Sequence, residues 1–134
     1  MIIKKLKLEN IKSYVNEEID FTQGINFILG TNGSGKTTII ESIGLALFNF
    51  SKSTQSDMIR YNKTKASIEV DFIANDGMEY RVVRTLRPKT SGTVKIIDVA
   101  GNTELYSGVG EVYAFIKTVL KVVRTKDFAK MFEE

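Results

Sequence analysis

Residues Phe27–Phe48 read FILGTNGSGKTTIIESIGLALF. An apolar run stops at Gly30, glycine and small polar residues follow, and Lys36, Thr37 and Thr38 lead into a second apolar run. Gly30 to Thr37 fits G-x-x-x-x-G-K-[ST] at every position, between a strand-like and a helix-like segment, where that motif has to lie. Several backbone N–H groups must converge on one phosphate, through conformations and close approaches that glycine allows. The following helix adds unpaired N–H groups and the positive end of its dipole. In such a loop Lys36 reaches the β- and γ-phosphates and acts in catalysis, and Thr37 offers its hydroxyl to Mg²⁺, a hard cation that prefers oxygen. The candidate phosphate-binding positions are therefore Gly30, Asn32, Gly33, Ser34, Gly35, Lys36, Thr37 and Thr38. A glycine-rich turn that binds nothing would not need the whole set.

Outward from the loop, Ile25–Leu29 is apolar but for Asn26, as in a strand covered on both faces. Ile39, Ile40, Ile43, Leu47 and Phe48 recur at helical spacing. Upstream, Ile2, Leu6 and Leu8 mark one strand, and Val15, Ile19 and Phe21 a second. Asn49 to Lys65 is polar and reads as a loop with room for one helical turn. Ile68, Val70 and Phe72 alternate with acids. Asn75-Asp76-Gly77 is a hairpin turn whose central positions call for positive φ. Tyr80, Val82 and Leu86 form the return strand, Thr93–Val99 another, and Ala100-Gly101-Asn102 another turn. Val112, Phe115, Ile116, Val119 and Leu120 stripe a helix, and Thr125 can cap a last one bearing Phe128, Met131 and Phe132. The order predicts an α/β fold with a mixed sheet, additional antiparallel strands and flanking helices.

Length and composition bound the rest. The 134 residues make one domain or one lobe of a larger one. With no cysteine and no histidine, disulfides, thiolate metal sites and the commonest general base are excluded. A formal charge of +3 permits a nucleic-acid partner without demanding one. No transmembrane run or signal-peptide core is present, so no membrane partner is expected.

A GTPase reading fails on its details. Asp98-Val99-Ala100-Gly101 imitates D-x-x-G, and Asn62-Lys63-Thr64-Lys65 half-matches N-K-x-D. Lys65 stands where an aspartate must accept from guanine, and that segment precedes the D-x-x-G candidate rather than following it. A self-contained P-loop enzyme, such as a small-molecule kinase, stays open as the alternative to a larger ATP-driven machine.

LKLENIKSY (Leu6–Tyr14), the segment from Ile19 to Thr38 and ESIGLALF together resemble the amino-terminal lobe of SMC-like ABC ATPases. Among these the likeness is greatest to the double-strand-break repair ATPases of the Rad-fifty family and their bacterial counterpart SbcC, with another SMC- or RecF-like chromosome or repair ATPase as the alternative. It is tight over Met1–Phe48 and looser to about Leu120. The resemblance implies that residues 1–134 form one lobe of a split ATPase head, ending before the Q-loop and coiled coil. Walker B, the catalytic glutamate and the signature motif would lie in a carboxy-terminal lobe. It further implies ATP and Mg²⁺ as ligands, a zinc hook elsewhere in the full protein, and a second head that dimerises around ATP. A nuclease of the Mre-eleven type and double-stranded DNA would be the other partners. The setting would be a cytoplasmic nucleoid in prokaryotes and archaea, or a nucleus. By resemblance, Lys12 and Ser13 fold back onto the phosphates, Asn32 lies near the γ-phosphate, and Ile59, Arg60 and Tyr61 border the adenine. Lysine at 12 replaces the more usual arginine and forgoes a bidentate contact. The clusters Lys4, Lys5, Lys7 and Arg81, Arg84, Arg87, Lys89 are candidates for DNA contact.

Overall fold

The structure, a computed structural model, describes residues 2–21, 35–51, 54–90 and 92–120, with helix residues 35–37 described in backbone only. The strand expected at Ile25–Leu29 and the helix expected after Thr125 lie outside the described residues, as do Gly30, Asn32, Gly33 and Ser34. The first strand, β1 (Ile2–Ile11), buries Ile3, Leu6, Leu8 and Ile11. Strict alternation from Ile2 would bury Ile2 instead. A register shift between Ile3 and Lys5 against the neighbouring strand inserts an extra residue, so Ile3 turns inward and Ile2 outward. The second strand, β2 (Tyr14–Asp20), pairs with β1 at the sheet edge, and Val15, expected inside, is 55% exposed there.

Four more strands complete an antiparallel sheet: β3 (Ala66–Ile73), β4 (Glu79–Leu86), β5 (Thr93–Asp98) and β6 (Thr103–Ser107). The spatial order is β2-β1-β3-β4-β5-β6, six strands in all among the described residues. The turns differ from the expectation of two positive-φ positions. In the β3–β4 hairpin only Gly77 has positive φ, +81°, and Ala74 N–H bonds Met78 O across a loop of Asn75, Asp76 and Gly77. The β5–β6 turn gives the same left-handed role to Asn102, at φ +48°.

Two longer helices cover one face: α1 (Gly35–Phe48) and α3 (Val109–Leu120), with the single turn α2 (Gln55–Met58) near the β1–β2 end. Helix α1 packs on β3, β4 and α3, and α3 on β5 and β6. Residues 41–48 of α1 are buried on every side, which is more than a stripe and explains the apolar sequence from Ile43 to Phe48. Asn75 of the β3–β4 turn closes the far end of α3: its Nδ2 donates to Leu120 O at 2.8 Å and its N–H to Val119 O at 3.3 Å, satisfying terminal carbonyls.

The inward row of β4 carries one charge. Arg84 is 1% exposed. Its Nη1 donates to Asn49 Oδ1 at 3.0 Å and to the Tyr113 hydroxyl at 2.7 Å. Asn49, at φ +54°, is the left-handed residue that ends α1, its N–H bonding Leu45 O. Burial pushes the Tyr113 hydroxyl above its ordinary pKa, with the Arg84 charge opposing that shift.

The opposite face of the sheet is ionic. Lys5 lies between Asp20 and Asp71, Lys7 between Glu18 and Glu69, and Asp71 between Lys5 and Arg81. Lys5 Nζ meets Glu18 Oε1 at 2.9 Å, and Arg81 grips Asp71 through two bonds of 2.7 and 3.0 Å. The two basic clusters read from the sequence therefore do not merge into one cationic surface: Arg84 is in the core, and Lys5 and Arg81 are paired with acids.

Candidate nucleotide site

Helix α1 begins at Gly35, so the backbone N–H groups of Gly35, Lys36 and Thr37 lie in its first turn. That turn contains no acid, the residue type that helix N-termini favour, and has a lysine in its place. An anion brought from outside would satisfy such an end. Thr38 is buried, and its carbonyl accepts the Ser42 hydroxyl at 2.7 Å.

Lys12 and Ser13 form the tip of the β1–β2 hairpin, with Lys12 at φ +48°. The tip is held from the side by the segment after α2. Lys12 N–H donates to Met58 O at 2.9 Å, Arg60 N–H to Asn10 O at 2.8 Å, and Ile11 bridges to Ile59. The Arg60 guanidinium returns to Lys12 O at 3.1 Å. Thr54 caps α2 by accepting from Asp57 N–H, which fixes where Met58 and Ile59 leave the turn. Lys12 is thus laced to Met58 and Arg60, far away in the chain, with Ile11, Met58 and Ile59 buried at the junction.

Lys12, Asp57, Ile59, Arg60 and Tyr61 line an open cleft of about 540 Å³. Lys12, Arg60 and Lys63 outweigh Asp57 there, so the lining is net basic. Tyr61 is 95% exposed: it packs against no core and leaves both faces of its ring open for stacking.

One residue absent from the sequence reading belongs to this region. Glu41 of α1 is 4% exposed, yet its Oε2 lies 3.8 Å from Lys12 Nζ and 3.4 Å from Ser51 Oγ. Ser51 Oγ is also 3.3 Å from Met58 Sδ. The signal was an acid inside the apolar run IIESIGLALF, just ahead of the fully buried stretch from Ser42 to Phe48.

A family model described as an AAA domain matches residues 5–129. The DNA double-strand break repair Rad50 ATPase of Methanopyrus kandleri is 43% identical over 83 residues, covering 62% of this chain and 10% of that protein. The protein of the same description from Thermoplasma volcanium is 33% identical over 126 residues, covering 91% of this chain and 14% of its own length. The chain thus spans only about a tenth of the length of these relatives. Among solved structures, the recombination mediator protein RecF with ATP matches at a TM-score of 0.62 and 15% identity, over 78% of this chain and 28% of that one. That likeness concerns the fold.

Proposed function

The chain belongs to the AAA domain family, and we propose that it is the ATP-binding lobe of a DNA double-strand-break repair ATPase. In this reading Gly30 to Thr38 hold the phosphates, Lys36 supplies mobile positive charge to the β- and γ-phosphates, and Lys12 and Ser13 close over them from the hairpin. Ile59, Arg60 and Tyr61 border the adenine. The Thr37 hydroxyl would hold Mg²⁺, which neutralises phosphate charge when bound. The acid-free first turn of α1 fits that set of ligands.

A carboxy-terminal lobe completes the site, and a second copy closes over the nucleotide. ATP binding and hydrolysis then drive head dimerisation and DNA-end processing with a nuclease of the Mre-eleven type. Phosphoryl transfer depends on positioning and charge stabilisation, which is why the site is divided among surfaces that ATP brings together. The observation that carries this reading is the complete phosphate-loop motif opening directly into α1. The test is Lys36→Ala in a reconstituted two-lobe head: ATP turnover falls to background while the melting temperature stays near that of the parent. Normal turnover in a well-folded variant would overturn the assignment.

A further inference from the structure

We propose that Glu41 is a positioning residue for the nucleotide: it fixes the Lys12 ammonium, and through Ser51 the segment that leads to Tyr61, to the helix that carries the phosphate loop. The proposal rests on the nucleotide reading above.

A carboxylate in the buried body of a helix is costly unless it is paired. Around Glu41 the chain is apolar, and a leucine or alanine would suit the packing. Among the described residues, two of its partners come from different segments. Lys12 Nζ reaches it at 3.8 Å from the β1–β2 tip, and Ser51 Oγ at 3.4 Å from the connection that follows α1. Ser51 in turn touches Met58, whose carbonyl receives Lys12 N–H. Glu41 therefore sits where the phosphate-loop helix, the hairpin tip and the adenine-side segment converge.

Lys12 is suited to a double role. An ammonium has three donors, and its side chain remains 31% exposed on the cleft while its head stands near Glu41. The Glu41 carboxylate thus stands beside an ammonium whose side chain lines the cleft. Glu41 thereby limits where a long, flexible side chain keeps its charge, a task that the planar fork of an arginine performs with less help.

The experiment is an ATP titration and steady-state kinetics on the assembled two-lobe head, comparing Glu41→Gln, Lys12→Ala and the double variant. Glutamine keeps the size of the side chain and an acceptor for Ser51 but removes the charge. Glu41→Gln is expected to raise the ATP Kd about three- to tenfold, as loss of one partly screened charge contact does, with the change falling on KM rather than on kcat. Lys12→Ala should weaken binding by at least as much, and Glu41→Gln should add nothing in that background. Unchanged affinity in Glu41→Gln, or two effects that add in full, overturns the proposal. Should Glu41→Gln unfold, Glu41→Asp takes its place: it withdraws the same charge from Lys12 and should weaken ATP binding only where Lys12 is present. Equal affinities of Glu41→Asp and the parent would overturn the proposal just as well. Lys36→Ala runs in the same titration. If Lys36→Ala binds ATP normally, the nucleotide reading itself fails. If it loses ATP while Glu41→Gln does not weaken binding, only the role of Glu41 falls.

Discussion

The Tyr113 hydroxyl accepts a hydrogen bond from Arg84 at 2.7 Å and lies 2.9 Å from the carbonyl of Leu45 and 3.0 Å from that of Ala46, near the end of α1. One phenol thus passes the influence of a buried guanidinium to the negative end of a helix dipole. Tyr113→Phe removes an acceptor from a buried charge and a donor from the helix end, and should cost about 1.5–3 kcal/mol of stability in urea unfolding. Arg84→Met removes the charge itself, so it should partly relieve Tyr113→Phe. A coupling of about 0.5–3 kcal/mol is expected in the double-mutant cycle, and strict additivity would refute the link.

Gly77 and Gly92 should respond differently to alanine. Both have positive φ, +81° and +71°. A Cβ on Gly77 meets nothing within 4 Å, so Gly77→Ala should cost only the left-handed strain, about 1–2 kcal/mol. A Cβ on Gly92 would collide with the Thr85 carbonyl oxygen of β4, which is main chain and cannot swing aside. Gly92→Ala should therefore lower the urea midpoint by clearly more than Gly77→Ala does.

Tyr80 predicts an alkaline limit to stability. Burial, then the hydrogen bond to Asp76, pushes its hydroxyl up from 10.0 to about 12. The unfolded chain releases that proton more readily than the folded one. The stabilising contribution is thus complete below pH 10 and is lost as the pH rises towards about 12. Tyr80→Phe should flatten this part of the profile of melting temperature against pH, though Tyr113 also resists ionisation and leaves some slope.

Base choice should favour adenine. No N-K-x-D reads guanine in this chain, and Ile59 to Tyr61 offer backbone, apolar and stacking contact. Competition between ATP and GTP on the assembled head should show tighter ATP binding, by a modest factor. Tighter GTP binding would point back to a self-contained P-loop enzyme.

Residues 1–134 alone should turn over ATP at no useful rate. In the split-head reading the group that orients the attacking water lies in the carboxy-terminal lobe. Adding the carboxy-terminal lobe should restore hydrolysis. Robust activity in carefully purified residues 1–134 would refute the split-head account.

Much of this arrangement was legible in the residue order. The strands from Ala66 to Asp98 and the helix at Val109–Leu120 follow from period, while the phosphate-loop motif from Gly30 to Ser34 lies outside the described residues. The meeting of Lys12 with Met58 and Arg60 is not legible in the residue order, because it is made largely by backbone bonds that no side-chain pattern encodes. Periodicity misplaced Ile2 because a bulge resets the phase between Ile3 and Lys5. It missed β6 because all five of its residues are exposed and no alternation marks it. Arg84 sits in a basic cluster that suggests a DNA-facing surface, although its place in the alternation with Tyr80, Val82 and Leu86 is inward. Glu41 gives no sign of its burial by residue type alone, because a charged side chain ordinarily faces solvent.

The ionic face of the sheet has a consequence for range. Its charges alternate in sign from strand to strand, at a spacing of roughly 4.8 Å. Along a strand the sign repeats, as in Lys5 and Lys7 or Glu69 and Asp71, so the charges form narrow stripes. The potential of such stripes dies away over about their spacing, which is shorter than the roughly 8 Å screening length of physiological salt. A polyanion drifting past this side meets almost no field until it is in contact, and added salt has little left to screen. Long-range capture of nucleic acid, where it occurs, therefore belongs to other surfaces, and this side of the lobe stays electrostatically quiet beside a highly charged polymer.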